Sequence, residues 1–457
     1  MSPLPAFTAA LSEIWTALGG AHADSAAVRL TGAGRLSSAF PVSDLAAASV
    51  AAAGLALGTL RAQGGPLPEI AVDSRLASLW FSTSYRPEGW PAPPVWDAVA
   101  GDYRTADGWI RLHTNAPHHR AAALSVLGTS ADREAVAAAV ALWTGEDLEA
   151  AIVAANGCAA VMRTQEEWAA HPQGAAVARE LFIWRAEGTA SDRPEARLDP
   201  ARPLAGVRVL DLTRVLAGPT ATRILAGFGA DVLRIDPPFW DEPAVLPDMT
   251  LGKRRAHLDL REAEDRQQLA VLLSEADILV HGYRSDALEA MGFGAEARQD
   301  IRPGLVDVSL DAYGWTGPWA QRRGFDSLVQ MSSGIAHAGM VHYGKDRPTP
   351  LPVQALDHAT GYLLAAAALR GLAQRREARR GSLWRTSLAR TARLLVGLPA
   401  ATGEAPLAPA EEADFAPGFE QSAWGPLHRL KPPLRIEGTP MAWDHPAGLL
   451  GVDAPLW

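Results

Sequence analysis

Cysteine is all but missing from this chain. Cys158 stands alone, which excludes an internal disulfide and fits a reducing, cytoplasmic compartment. Its neighbours Asn156, Gly157, Ala159 and Ala160 have no metal-ligand spacing, so Cys158 reads as a small buried residue. Long hydrophobic runs are missing too. The longest, Leu45–Leu60, is Ala-rich and uncharged but falls short of the ~20 residues that span a bilayer, and it reads as a buried helix. Met1–Gly20 contains Glu13 and no basic segment ahead of a long apolar core, so it reads as a helix and not as a signal peptide. No membrane association is expected. Basic charge is outnumbered: 42 Lys and Arg against 51 Asp and Glu leave a net −9, which argues against a general nucleic-acid-binding surface. It leaves room for a local basic pocket.

Motifs for the common cofactors are absent as well. No G-x-G-x-x-G follows a strand, and Gly227 and Gly229 read as the C-terminal cap of a helix. There is no P-loop, zinc-ligand pair or G-x-S-x-G elbow. His113, His118 and His119 lie close together without the spaced carboxylate or histidine of a metal site. They read as polar lining or surface, and no metal is expected.

What is present is globular. Apolar residues make up 48% and charged residues 20%, and 457 residues exceed one ordinary domain. Ala/Leu/Glu segments such as Asp132–Trp143 and Glu146–Asn156 predict helices, and Tyr103–Leu112 reads as strand, Asp107-Gly108 turn, strand. Glu187–Pro203 reads as a polar linker. From Leu204 the texture changes to short apolar strands alternating with helices. Val207–Leu212, Val232–Ile235, Asp277–Val280 and Leu305–Leu310 are the strands. Pro219–Phe228, Leu269–Glu275 and Ser285–Met291 are the helices. That alternation predicts α/β architecture: a Rossmann-like, doubly wound parallel sheet with a smaller α+β domain.

The segment Leu204–Asp236 resembles the opening signature of family III CoA-transferases, the formyl-CoA and carnitine-CoA transferase group. The likeness continues in order through Lys253-Arg254, Leu258–Leu260, Ala276–Gly294, Ser309–Gly317, Gly324–Gly334 and Leu356–Leu369. The resemblance implies a CoA-transferase acting on an acyl-CoA and a carboxylic acid, with CoA as substrate and no tightly bound cofactor. It also implies an interlocked homodimer. In that family a carboxylate ahead of an Ala-rich helix attacks the thioester, and Asp357 matches it. The residue type also suits a helix cap. Backbone N–H groups near a helix start are expected to hold the developing oxyanion. The matching CoA-binding positions are Val215, Leu216, Ala217, Leu258, Arg261, Gly282, Tyr283, Arg284, Arg323, Gly324 and Phe325. Gly282 stands where the family often has Asn, and Asp236 where it commonly has Glu.

The resemblance extends to the α-methylacyl-CoA racemases, whose chemistry needs two acid/base groups. The histidine expected beside Asp326 is replaced by Phe325, which moves no proton. An acyl-CoA racemase or isomerase, and a non-catalytic acyl-CoA-binding protein, remain the alternatives. The order of parts departs from the family. Residues 1–88 read as a helical half-domain like the latter part of the large domain, 89–200 as the small α+β domain, 203–400 as the Rossmann-like CoA-binding domain, and 401–457 as a wrapping C-terminal segment. In the first of these, Pro41–Asp44 before an Ala-rich helix echoes Pro352–Asp357, and Asp44 reads as a helix cap and a backup nucleophile.

Overall fold

Seven strands make the central sheet of the computed structural model, which describes residues 5–191, 194–195, 197–284, 286–400 and 405–457. In chain order they are β1 (Trp184–Ala190), β2 (Arg208–Leu212), β3 (Asp231–Asp236), β4 (Lys253–His257), β5 (Ile278–His281), β6 (Val306–Asp311) and β7 (Arg380–Ser387). Their spatial order is β4-β3-β2-β5-β6-β7-β1. The six strands from β2 onward are parallel, and β1 alone runs antiparallel, against β7. The inner parallel strands are largely buried on both faces, as in sheets covered by helices on either side. The order reverses between β2 and β5, which defines the topological switch point of a doubly wound fold.

One expectation is corrected at β1. The stretch expected to open a polar linker at Glu187 is strand as far as Ala190, with Glu187 opposite Ser382. Its alternation of half-buried and exposed residues carried little apolar signal, and it is the free ladder edge of β7 that recruits it. The tail closes the opposite edge. Asp453 N–H donates to the Arg255 carbonyl at 2.8 Å, Arg255 N–H donates to the Asp453 carboxylate at 2.7 Å, and Gly252 N–H donates to the His445 carbonyl at 2.8 Å.

The expected N-terminal helix is present at Pro5–Ala17, with residues 1–4 outside the described ones. Ser285 also lies outside them, and the helix expected from there is a single turn at Ala287–Ala290. The hairpin pairs Gly101–Arg104 with Trp109–Leu112, and Ala159–Val161 adds a third antiparallel strand.

Four helices position the site: α1 (Val42–Ala62), α2 (Ala217–Gly227), α3 (Asp326–Ser332) and α4 (Ala355–Ala378). By length and composition α1 passes as a membrane-crossing helix, yet 83% of its most apolar stretch is buried inside the protein. It packs on α4, which packs in turn on α2. Their small side chains let the backbones approach. A Cβ on Gly361 would come within 2.5 Å of the Ala217 carbonyl oxygen, so α4 and α2 touch there through glycine.

The echo in the sequence has a structural counterpart. α1 follows Pro41 at φ −77, ψ 62 and ends on Gln63 at φ 47, ψ 45. α4 follows Gln354 at φ −76, ψ 65 and ends on Arg379 at φ 57, ψ 36. Each leads to a strand and then to a helix capped by a side chain, Asp73 in the first case and Ser387 in the second. Asp44 and Asp357 are the third residues of their helices.

Candidate active site

The carboxyl ends of β2 and β5 open onto a cavity of about 450 Å3 at the switch point. Val215, Ala217, Gly282, Tyr283, Arg284, Arg323, Gly324, Phe325 and Asp357 line it, so nine of the expected positions meet in one place. Leu216 faces an adjoining cavity of about 240 Å3, which shares Val215, Trp240, Phe325 and Asp357 with the first. Two expected residues lie elsewhere. Leu258 is buried in the apolar cluster beneath β3 and β4. Arg261 is exposed, held by Asp259, with its guanidinium 4.3 Å over the Phe239 ring. It reaches the larger cavity only through Phe239, which lines it.

The first turn after β2 is built under constraint. Val215 has a φ of 65°, unfavourable for a β-branched residue, and its N–H donates to the Glu242 carboxylate at 2.9 Å. Below it, Lys253 donates to Asp211 at 3.0 Å and to the Pro219 carbonyl at 2.9 Å, with both ionic side chains fully buried. Burial pushes Lys253 down to about 8, against the pull of Asp211. Asp211 also receives Thr213 and Thr222 hydroxyls, each at 2.5 Å. The ends of β2, β4 and α2 are thereby tied to one carboxylate. The start of α2, at Ala217 and Gly218, faces the larger cavity, and a helix start favours anions.

Four guanidinium groups line the larger cavity, on Arg214, Arg284, Arg322 and Arg323. Arg322 is partly spoken for by Glu149 at 3.1 Å. Arg214 lies 4.7 Å over Trp240 and 5.6 Å over Tyr283, which makes a flat cationic and aromatic wall. Sequence reading had singled out neither Arg214 nor Trp240 as a lining residue. Arg214 opens the very turn that was, while Trp240 sits in a Pro-rich loop with no pattern to mark it.

Asp357 faces both cavities from the first turn of α4. Among the described residues no donor hydrogen-bonds its carboxylate. Burial and then the Asp326 carboxylate push its acid well above the usual range. The helix cap comes from outside the helix. One oxygen of Asp326 accepts the N–H groups of Leu356 and Asp357, at 2.8 and 2.9 Å, while the other accepts Gln330. Gln330 in turn accepts Leu351 N–H at 2.7 Å. Burial pushes Asp326 itself up to about 6. These contacts revise one expectation. Asp357 is not the cap; Asp326 occupies the N–H groups of Leu356 and Asp357 at the start of α4, while Ala217 and Gly218 at the start of α2 face the cavity.

Asp44 shares the helix position of Asp357 but not its surroundings. Arg35 closes on it, donating from Nη1 and Nη2 to the two carboxylate oxygens. No described group of three or more His, Cys, Asp and Glu side chains is arranged to hold a metal ion. His119 lies 3.6 Å from the Cys158 sulfur, and burial pushes that thiol up to about 12, as suits an inert residue. His113 stacks on Phe325 with centroids 3.7 Å apart and planes at 8°.

Residues 204–422 match the model of CoA-transferase family III. An acetyl-coenzyme A transferase of Hypoxylon pulicicidum is 37% identical over 191 residues, which cover 41% of this chain and 32% of that protein. The human succinyl-CoA:glutarate CoA-transferase is 32% identical over 216 residues, which cover 44% of this chain and 49% of that protein. Among solved structures, Rv3272 of Mycobacterium tuberculosis is 31% identical, with 42% of this chain and 55% of that one covered and a TM-score of 0.40. The chain thus spans about half or less of the length of these curated relatives.

Proposed function

We propose, for a chain that carries a CoA-transferase family III region over residues 204–422, that it moves CoA between carboxylic acids with Asp357 as nucleophile. The observation that carries this reading is the position of Asp357. Its carboxylate has no hydrogen-bond donor among the described residues and faces both an arginine-lined and an aromatic-walled cavity.

In the first step the Asp357 carboxylate attacks the thioester carbonyl, and the C–S bond breaks to release CoA thiolate. The mixed anhydride is then attacked at the Asp357 carbonyl by that thiolate, which expels the first acid as its carboxylate. The acceptor carboxylate attacks the resulting aspartyl thioester and frees the thiolate again. Attack of the thiolate on the acceptor's carbonyl gives the new acyl-CoA and restores Asp357. No net proton or electron is consumed. A carboxylate nucleophile divides one hard exchange into easier steps. Arg214, Arg284 and Arg323 would hold the CoA phosphates, and the start of α2 would meet developing negative charge.

The reading includes a cytoplasmic location, supported by the lone cysteine, no tightly held cofactor, and a working homodimer. It also keeps the four-part division of the chain at 1–88, 89–200, 203–400 and 401–457, with the 89–200 unit closing over the CoA-binding unit. Support comes from His118 and His119 of the former lining the same cavity as Arg284 of the latter.

The test is intact-mass analysis after incubation with short acyl-CoAs and hydroxylamine, comparing wild type with Asp357→Ala. A hydroxamate on the Asp357 peptide in wild type alone supports the reading. Measurable acyl-CoA binding without any adduct defeats it and leaves a binding protein. A second reading rests on His113, whose imidazole lines the smaller cavity beside Asp357. It would supply the second proton-handling group of an epimerase, and deuterium uptake at the acyl α-carbon from heavy water would reveal it.

A further inference from the structure

The smaller cavity extends from Asp357 away from the arginines, and its lining differs in kind from theirs. Trp96, Trp240 and Phe325 form its walls, with apolar Val95, Leu216 and Val245 between them. His113 joins the walls as a ring, face-on to Phe325 and edge-on to Trp96 at 6.0 Å and 86°. Among the described residues no lysine or arginine lines it. Its charged groups other than Asp357 are all carboxylates: Asp97, Asp241, Glu242 and Asp326.

Those carboxylates are committed to the protein. Asp97 accepts the Thr114 hydroxyl at 2.8 Å and pairs with Arg120 at 2.7 Å. Glu242 accepts Trp240 Nε1 and Val215 N–H, both at 2.9 Å, and pairs with buried Arg234. Asp326 caps α4. Asp241 is exposed at the rim. A second carboxylate on an incoming acid would leave water for a chamber with no cation and several anions. A neutral ring meets aromatic edges and faces there, in the geometries such rings prefer. At about 240 Å3 the chamber exceeds the roughly 150 Å3 apolar cavity that accepts benzene.

We infer that this cavity is the acyl subsite, and that the acids exchanged at Asp357 carry a neutral aryl or branched-alkyl group instead of a second carboxylate. This rests on the CoA-transferase reading and adds the substrate class. It also separates this chain from the human relative, whose name specifies two dicarboxylates, succinyl and glutarate.

Two measurements test it. Acyl-CoA binding is compared by calorimetry on Asp357→Ala, which does not turn over, using phenylacetyl-CoA and succinyl-CoA. Exchange of labelled CoA into the matching free acids is followed with the wild type. Phenylacetyl-CoA should be preferred in both by about a hundred-fold or more, because a carboxylate set among carboxylates without a cation loses hydration and gains only repulsion. Equal or better handling of succinyl-CoA overturns the inference while leaving the transferase reading intact. No exchange with any acyl-CoA, together with the same binding preference, would sink the transferase reading and keep the subsite. Asp241→Arg at the exposed rim adds the missing cation and should narrow the preference about tenfold in the succinyl direction. An unchanged ratio in that variant also counts against the inference.

Discussion

Asp326 caps the helix that carries Asp357, and after burial it is the Asp326 charge that holds the Asp357 acid above the usual carboxylate range. The same carboxylate therefore orients the nucleophile and makes its proton harder to remove. A carboxylate attacks only when ionised, so exchange should fail as pH drops through the raised Asp357 value, well above the ordinary carboxylate range near ~4. In Asp326→Asn the negative charge is gone while an oxygen remains for the backbone N–H groups. The acid limb of the kcat/KM profile should move to lower pH. A limb that stays in place would show that Asp326 exerts no charge effect on Asp357.

Asp357→Asn should abolish exchange and yet raise the melting temperature at pH 7 by a few degrees. Because the folded-state value is raised, the unfolded chain releases this proton first as pH rises, and the native state loses stability in that interval. Asparagine carries no such penalty. The gain should shrink as pH falls toward ~4, where both states of the wild type hold the proton. Parallel thermal scans across that range test the sign.

Lys253→Met should cost about 3–5 kcal/mol in denaturant unfolding, since it removes the ion-pair partner of the fully buried Asp211 carboxylate. The double variant Lys253→Met with Asp211→Leu should recover much of that loss. A single variant as stable as wild type would mean that the pair does not tie down the turn after β2.

Asp44→Asn should leave CoA exchange at wild-type rates, with hydroxylamine still labelling Asp357 alone. Arg35 occupies the Asp44 carboxylate, and a nucleophile already paired with a guanidinium is a poor one. Label on the Asp44 peptide of the wild type would place chemistry on the wrong one of the two echoing helices.

Arg323→Ala and Arg284→Ala should each raise KM for acyl-CoA by about tenfold with kcat nearly unchanged, as expected for contacts kept throughout the reaction. The salt dependence of KM should weaken in both. A fall in kcat with constant KM would assign these arginines to the transition state instead.

The strands β2, β3, β5 and β6 were legible because both faces of each are largely buried, which leaves short Val-, Leu- and Ile-rich stretches, interrupted by buried Asp211, Arg234, Asp307 and Ser309, at nearly the observed bounds. β1 and β4 were not: one edge strand is half solvated and the other reads Lys-Arg-Arg-Ala-His, so packing and ladder closure decide them, not pattern. In the site, the ordered motifs located Asp357 and the two βα turns. They did not reveal that Asp326, in the separate Gly324–Gly334 motif, would cap the helix of Asp357 from another segment. A cap normally precedes its own helix by one residue, and here it lies 31 positions upstream of Asp357. Leu258 and Arg261 follow the edge strand β4, so their register relative to the switch point is set by sheet order and is invisible locally.

The tail that runs beside β4 and the antiparallel β1 flank the six parallel strands on either side, which leaves the outer edge of β1 as the sheet's margin. An open parallel sheet is a template for aggregation, and here the chain occupies both flanks with its own backbone. Loosening the strap around Asp453, by Asp453→Asn for instance, should first show itself as clumping during refolding, before any loss of catalysis.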